Sequence, residues 1–516
     1  MLKLSEATRQ ADLARMAEDE VDVLVIGGGV TGAGVALDAA ARGLSVALVE
    51  RDDFASGTSG RSSRLVHGGI RYLRHAEVGL VYESLRERQI LRRVAPHLVR
   101  PLGFLTPIRR PLNRAYFGLG LGVYGALAVG RNVARHRWVD RSEVARLAPT
   151  LSRPSGGYLS FDCRTDDARL TLEIVRAAAS LGAAVANHAE VGALTAEGRT
   201  TGAAVHDRVS GSTVEVRARV VVNATGVWAG RIHALAGSSA ERLRPSKGIH
   251  VVLPGSRLPV RVAVMVPSLA GGGAMVFAIP WGPRVYAGTT DTEYRGSLED
   301  PPVEPGDIEV VVGSLARAFE GDLAPSDVRA SWAGIRPLLD TGRGPTRDLS
   351  RRHVIVEDPP GLLTVTGGKL TNYRAMAEQV VDRVCRILGR GRPCATRDIP
   401  LGLRRPLLTE LGRAASTAER LGLGPDAGRR MVFRYGDDWE AAMERIRDDP
   451  DLGLEAVAGL PVLRVELELA RIREMAITDD DVLVRRTRLA TMDEEAAARV
   501  RLAPGSSGTT AARPRG

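Results

Sequence analysis

The stretch Val21 to Glu50 limits the fold more than any other. Val21–Ile26 (VDVLVI) is a near-continuous apolar run of strand length, glycines follow it, Ala/Val-rich sequence to Arg42 reads as a helix, and Ser45–Val49 (SVALV) reads as a second strand running into Glu50. Strand, helix and strand of these lengths make a βαβ unit. Its first turn, Gly27-Gly28-Gly29-Val30-Thr31-Gly32, fits GxGxxG, and Glu50 stands eighteen residues beyond Gly32. Gly27 suits a tight turn, Gly29 lets a pyrophosphate approach the backbone, Gly32 allows close helix packing, and the helix N-terminus with Val30 and Thr31 attracts phosphate. Glu50 is expected to accept hydrogen bonds from ribose hydroxyls.

That fingerprint does not choose among dinucleotides. Straight after Glu50, Thr58–Leu73 (TSGRSSRLVHGGIRYL) crowds hydroxyls, arginines, a histidine and a glycine pair together. Such a segment suits a cofactor that extends past its first phosphates, with donors reaching a flavin. A second strand-to-helix turn is expected where Leu362–Thr366 ends at Gly367-Gly368-Lys369-Leu370 and a helix runs from Thr371, its expected N-cap, to Leu388. Aimed at the pyrimidine edge of a flavin, its backbone N–H groups would stabilise the negative charge of the reduced ring. Lys369 is itself unusual: among 71 basic side chains only Lys3, Lys247 and Lys369 are lysines. A compact ammonium on a flexible stem reaches a single oxygen in a way that a planar guanidinium does not.

Composition removes other classes of function. Cys163, Cys385 and Cys394 form no CxxC pair or Cys/His cluster, so no metal, zinc or iron–sulfur site is signalled. A net charge of +10 with only 4% aromatic residues, none interleaved with basic runs, argues for anionic small molecules or an anionic membrane face over nucleic acid. The N-terminus lacks the apolar core of a signal peptide, which predicts a cytoplasmic location. Ala115–Gly130 (AYFGLGLGVYGALAVG) is uncharged but shorter than the ~20 residues of a spanning helix, and is read as a buried helix or loop in preference to an element dipping into a membrane interface.

Further along, Val214–Asn223 reads as strands running into Ala224-Thr225-Gly226, and Ala274–Ile279 with Arg284–Thr290 is β-rich. Asp166 and Asp167 read as the cap and first-turn acids of a helix from Arg169 to Leu181. Beyond Pro400 the pattern turns to amphipathic helices, and the closing APGSSGTTAARPRG has the composition of a disordered tail. The expected architecture is α/β: an interrupted Rossmann-like FAD-binding domain, a β-rich substrate domain threaded through it, and a C-terminal α-helical domain. FAD-binding segments are expected at about 18–80, 150–230 and 330–390, substrate-domain segments at about 81–149 and 231–329, within an oxidoreductase region of 18–395; the helical domain covers 396–502 and the tail 503–516.

Taken in order, VLVIGGGVTGAG, ALVERDDFASGTSGRSSRLVHGGIRYL, NATGVWA, the KGIH of Lys247–His250, AGTTDT, WAGIRPL and TGGKLTNYR resemble FAD-dependent sn-glycerol-3-phosphate dehydrogenase, within the D-amino-acid-oxidase-like flavoprotein superfamily. The resemblance runs from about residue 18 to 500, and HGGIRYL with GGKLTNYR is its most specific part. It implies that Arg71, Tyr72, His250, Arg336 and Lys369 surround a small phosphorylated polyol over the flavin, with Trp281 a further lining candidate. FAD contacts are expected from Gly27 to Gly32, Glu50, Arg51, Thr58, Ser59, Ser62, Ser63, Arg64, Leu65, His67, Gly68, Thr225, Gly226 and Gly367 to Thr371. A phosphomonoester brings close to two negative charges, which suits arginines forming charge-assisted pairs. A base is also required, and of nine histidines His250 and His67 are the candidates, with a slight preference for His250.

The sequence has no second GxGxxG of similar quality, so NAD(P) is not expected as electron acceptor. The resemblance points to a quinone at the cytoplasmic membrane surface. An oxygen-using oxidase, an amine or amino-acid oxidase of the same superfamily, and a non-enzymatic FAD-binding protein remain as rivals, and a homodimer stays open.

Overall fold

The computed structural model describes residues 3–69, 77–109, 111–128, 130–239, 243–340 and 352–500. Two sheets organise the first 390 or so residues, and short helices form the rest. In the eight-stranded nucleotide sheet, Val21–Ile26 lies at the centre, parallel to Val46–Val49 on one side and to Thr213–Asn223 on the other. Leu362–Gly367 adds parallel to Thr213–Asn223, and Ala184–Ala186 parallel to Val46–Val49. Strands paired on both edges and covered on both faces must be apolar along their whole length, as the fully buried Val21–Ile26 and Val46–Val49 are. The helices Val30–Ala41, Asp167–Ser180 and Tyr373–Leu388 cover one face.

The ten-stranded second sheet is built mostly of antiparallel pairs, with Leu243–Pro254 between Ala330–Leu339 and Arg284–Gly288, and Arg100–Ile108 against Gly156–Arg164. Gly156–Arg164 and Ala330–Leu339 belong to this sheet, although the sequence reading gave both to FAD-binding segments. The chain changes sheets later than composition suggests, because both strands carry a buried apolar pattern that either sheet could accept. Arg336 lies inside the second of these strands.

The uncharged window near residue 120 lies in an amphipathic helix, Pro111–Leu127. Leu121 and Tyr124 face inward, whereas Tyr116 is 59% and Leu119 74% exposed, so only one face is buried. Among the described residues no helix is long and apolar enough to cross a membrane.

The C-terminal helices pack on their own core around Trp439, Met431 and Leu469. They attach to the nucleotide domain through charge. Arg486 bonds both carboxylate oxygens of Asp53, at 2.6 and 2.8 Å, and Arg485 adds a contact at 2.8 Å. Arg488 reaches Asp166, the cap of Asp167–Ser180, at 2.9 Å and also bonds Asp167.

Candidate active site

A cleft of about 1460 Å³ runs from the first glycine turn, across the end of the nucleotide sheet, to the floor of the second sheet. At the nucleotide end the backbone does most of the shaping. Gly27 has φ +109°, and a Cβ there would stand 2.8 Å from the carbonyl oxygen of Ala224; a Cβ on Gly32 would stand 1.9 Å from that of Gly27. These are the tight turn and the close packing expected from the motif. Gly29 caps the helix with no side chain, and the Val30 N–H donates to Ser59 Oγ at 2.9 Å. Glu50 is held in place before any ribose arrives: its carboxylate accepts the N–H of Gly28 at 2.6 Å and of Asp52 at 2.9 Å. Burial raises its pKa, and those two amides oppose the rise.

Gly27, Gly29, Val30, Thr31, Glu50, Arg51, Thr58, Ser59, Ser62, Ser63, Leu65, His67, Thr225, Gly226, Gly367, Gly368, Lys369, Leu370 and Thr371 all line this cleft, as do His250 and Arg336. Gly28, Gly32 and Gly68 do not; they lie just behind it, where packing leaves no room for a Cβ. Arg71 and Tyr72 lie outside the described residues.

Three expectations fail on geometry. Arg64 is not a cleft residue: its backbone has φ +56°, and its guanidinium lies 4.1 Å over the Trp281 ring and 4.6 Å over that of Trp332. Trp281 therefore packs on Arg64 behind the site and does not line it. Thr371 is not a helix cap. It sits in a 3-10 turn, Leu370–Asn372, and Tyr373 starts the helix. Its hydroxyl accepts the His67 N–H at 3.2 Å instead, tying the two cofactor loops together.

At the other end, side chains from distant segments converge. Arg336 packs across Gly248, where a Cβ would be 2.3 Å from its Nη2, and donates to Thr289 Oγ1 at 2.9 Å and to Ser246 Oγ at 3.3 Å. Gly367 and Gly368, with φ of +84° and +83°, turn the chain so that Lys369 lines the cleft, and its ammonium donates to the buried Ser84 Oγ at 3.2 Å. Lys247, by contrast, is pinned to Asp307 at 2.7 Å outside the cleft. His250 bonds Ser63 Oγ at 3.0 Å and stacks on Trp332 with 4.8 Å between ring centroids. Burial, then the cations Arg336 and Arg64, push its pKa down to about 3. His67 is also lowered by burial, but there the nearby Asp162 carboxylate favours the protonated form against Lys369 and Arg88.

Sequence reasoning missed Asp162, Tyr124, Trp228, Ala189, Glu190, Val191, Thr289 and Thr290, which also line the cleft. Asp162, Tyr124, Ala189, Glu190 and Val191 sit in no recognisable motif, whereas Trp228 belongs to the NATGVWA quoted above for its resemblance. Tertiary packing brings the first five in, and AGTTDT, also quoted above for its resemblance, contains Thr289 and Thr290.

Comparison with known proteins agrees with this geometry. Residues 22–383 match the family described as FAD dependent oxidoreductase, and residues 394–502 match the C-terminal domain of alpha-glycerophosphate oxidase. The chain is 39% identical to glycerol-3-phosphate dehydrogenase 2 of Mycobacterium tuberculosis, over 94% of this chain and 84% of that one. It belongs to the FAD-dependent glycerol-3-phosphate dehydrogenase family. The aerobic glycerol-3-phosphate dehydrogenase of Bacillus subtilis is 36% identical over 94% of this chain and 90% of its own length. Among solved structures, the Bacillus halodurans glycerol-3-phosphate dehydrogenase complexed with FAD superposes with a TM-score of 0.78 at 32% identity, covering 95% of this chain and 90% of that one. Glycine oxidase from Geobacillus kaustophilus, at 20% identity and a TM-score of 0.55, shares the fold over 75% of this chain. The glycine cradle, the pre-bonded Glu50 and the cleft's length fit FAD as the family's cofactor.

Proposed function

We propose that this chain oxidises sn-glycerol 3-phosphate to dihydroxyacetone phosphate and hands the electrons to a quinone. One observation carries the reading: the dinucleotide cradle opens onto a floor where Arg336, Lys369, His67 and His250 face one cavity. The glycine turn, Glu50 and the Gly367–Thr371 turn would hold FAD, which would supply a two-electron hydride acceptor. Arg336 receives the phosphate, its fork already aimed by Thr289 and Ser246. Lys369 stabilises negative charge growing on the C2 oxygen. His67 accepts the hydroxyl proton.

The sequence leaned towards His250 as the base, but its surroundings support another role. Burial disfavours a proton on either ring, but at His250 the charges named are the cations Arg336 and Arg64 alone, whereas at His67 the Asp162 carboxylate counters Lys369 and Arg88. His250 is better suited to stay neutral and hold the substrate through hydrogen bonds.

The far end of the cleft is apolar, with Phe104, Phe117, Leu121, Phe161, Met265 and Phe277 on its walls. Beside it the Pro111–Leu127 helix exposes Tyr116, Leu119 and Val123. An apolar acceptor reached from a membrane surface fits that end, and the net charge of +10 favours an anionic lipid face. The test is steady-state turnover of glycerol phosphate with a soluble quinone, against oxygen alone. Fast quinone reduction with little peroxide is expected. Peroxide formed as fast as substrate is consumed would make the enzyme an oxidase, and turnover of glycine but not glycerol phosphate would replace the substrate class.

A further inference from the structure

One carboxylate in the cleft has no part in the chemistry above. Asp162, on the strand Gly156–Arg164, opens to the cavity with its side chain 16% exposed. Three donors from three segments fix it. The buried Arg88 of the helix Val78–Val94 bonds Oδ1, the Gly68 N–H approaches the same oxygen at 3.4 Å, and the Tyr124 hydroxyl donates to Oδ2 at 3.0 Å. Arg88 is itself held by the Arg131 carbonyl at 2.8 Å. A Cβ on Gly68 would meet the Tyr124 hydroxyl at 2.2 Å, so the backbone just after His67 is pressed against this group.

A buried ion pair that served packing alone would gain nothing from facing the cavity, and such pairs are often replaceable by apolar residues without loss of stability. This one instead lines the same cavity as His67 and accepts the N–H of Gly68, the residue that follows it, at 3.4 Å. Tyr124 is a constant donor, because burial and then Asp162 push its pKa well above the usual 10. We propose that Asp162, clamped by Arg88 and Tyr124, is the positioning residue that favours the protonated form of His67 when it receives the C2 hydroxyl proton. The proposal rests on the reading of His67 as acceptor. The proton moves from the substrate oxygen to the imidazole.

The charged groups acting on His67 are Asp162 on one strand, Arg88 on the helix beside it and Lys369 from the flavin turn. Asp162 is the one that favours protonation, so its removal lowers the pKa of His67, and a reaction that needs neutral His67 then keeps its rate to lower pH.

The holoenzyme is first mixed anaerobically with glycerol phosphate. Failure of the wild-type flavin to bleach would end the functional reading without testing Asp162. In Asp162→Asn with normal yellow absorbance, we expect flavin reduction to slow about 10- to 100-fold at its optimum and its acid limb to move down by about one pH unit. The His67 resonance in ¹³C-histidine-labelled protein, assigned through His67→Asn, should titrate lower by a similar amount. Because Asp162→Asn leaves Arg88 buried without a counter-charge, Asp162→Glu and Tyr124→Phe complete the test. Glu should restore the acid limb towards the wild-type position, and Phe should slow reduction a few-fold with no downward shift. His67 titrating and the flavin being reduced as in the wild type in Asp162→Asn, or in both other variants if Asn does not fold, would overturn the assignment and leave a purely structural ion pair.

Discussion

At the nucleotide end of the cleft, Gly27 to Gly32, Glu50 and Ser59 come from one run of 33 residues, and the contacts there are largely backbone groups. At the substrate end, Arg336, Lys369, His250, His67 and Asp162 come from five separate segments and act through side chains. Backbone geometry fixed by glycines is rigid and tolerates little change, whereas converging side chains can each be altered while the fold persists. Cofactor loss should therefore follow substitutions at the first end, and catalytic loss with cofactor retained should follow those at the second.

The largest expected effect is at the nucleotide end. Gly32→Val places a branched side chain where a Cβ already stands 1.9 Å from the Gly27 carbonyl. FAD affinity should fall more than about 1000-fold, read as protein that purifies colourless and as a lowered melting temperature. A yellow, active Gly32→Val protein would break the contrast.

Next comes Arg336→Met, which removes the fork held by Thr289 and Ser246. With charge-assisted hydrogen bonds contributing about 1.5–3 kcal/mol each, kcat/KM for glycerol phosphate should drop on the order of 100-fold with FAD still bound. Lys369→Arg is a swap that the arginine-rich composition invites. It should cut kcat about 30-fold, because the bulkier fork cannot reproduce a point contact beside Ser84. Near-normal kcat would make the scarce lysine incidental.

How legible each end was follows from the same contrast. The βαβ unit announces itself because strand, turn and helix obey local rules, and Gly27, Gly32 and Glu50 stand where those rules put them. Lys369 was legible through its rarity and its two preceding glycines. Asp162 and Tyr124 were not, since FDCR and VYGAL carry no spacing signal and meet only when the second sheet sets Gly156–Arg164 beside the helix Pro111–Leu127. Arg64 was misread for a related reason. The run TSGRSSR shows donors, but a left-handed backbone at Arg64 sends that one side chain backwards onto two tryptophans.

The smallest expected effect concerns the C-terminal domain, which grips the nucleotide end at Asp53 and the Asp167–Ser180 helix at Asp166. Burial alone would raise Asp481 and Asp166, but His188 and Arg485 hold Asp481, and Arg488 holds Asp166, well below the usual carboxylate range. Carboxylates depressed in the folded state contribute stability that is full above their unfolded pKa, about 3.9, and is lost as pH falls towards the folded value. The melting temperature should thus begin to fall below about pH 6.5, where His250 and His67 take up protons more readily in the unfolded chain, and fall more steeply below about pH 4, that lower step being shallower in Asp481→Asn.

The central claim is that a phosphorylated polyol is oxidised where these cations meet the flavin. Anaerobic titration of the purified yellow protein with sn-glycerol 3-phosphate tests it most directly. The account predicts that the flavin absorbance near 450 nm bleaches stoichiometrically in the wild type and that Arg336→Met needs on the order of 100-fold more substrate to reach the same bleaching. A flavin that keeps its oxidised spectrum at saturating glycerol phosphate, while glycine or another amino acid bleaches it, would contradict the account.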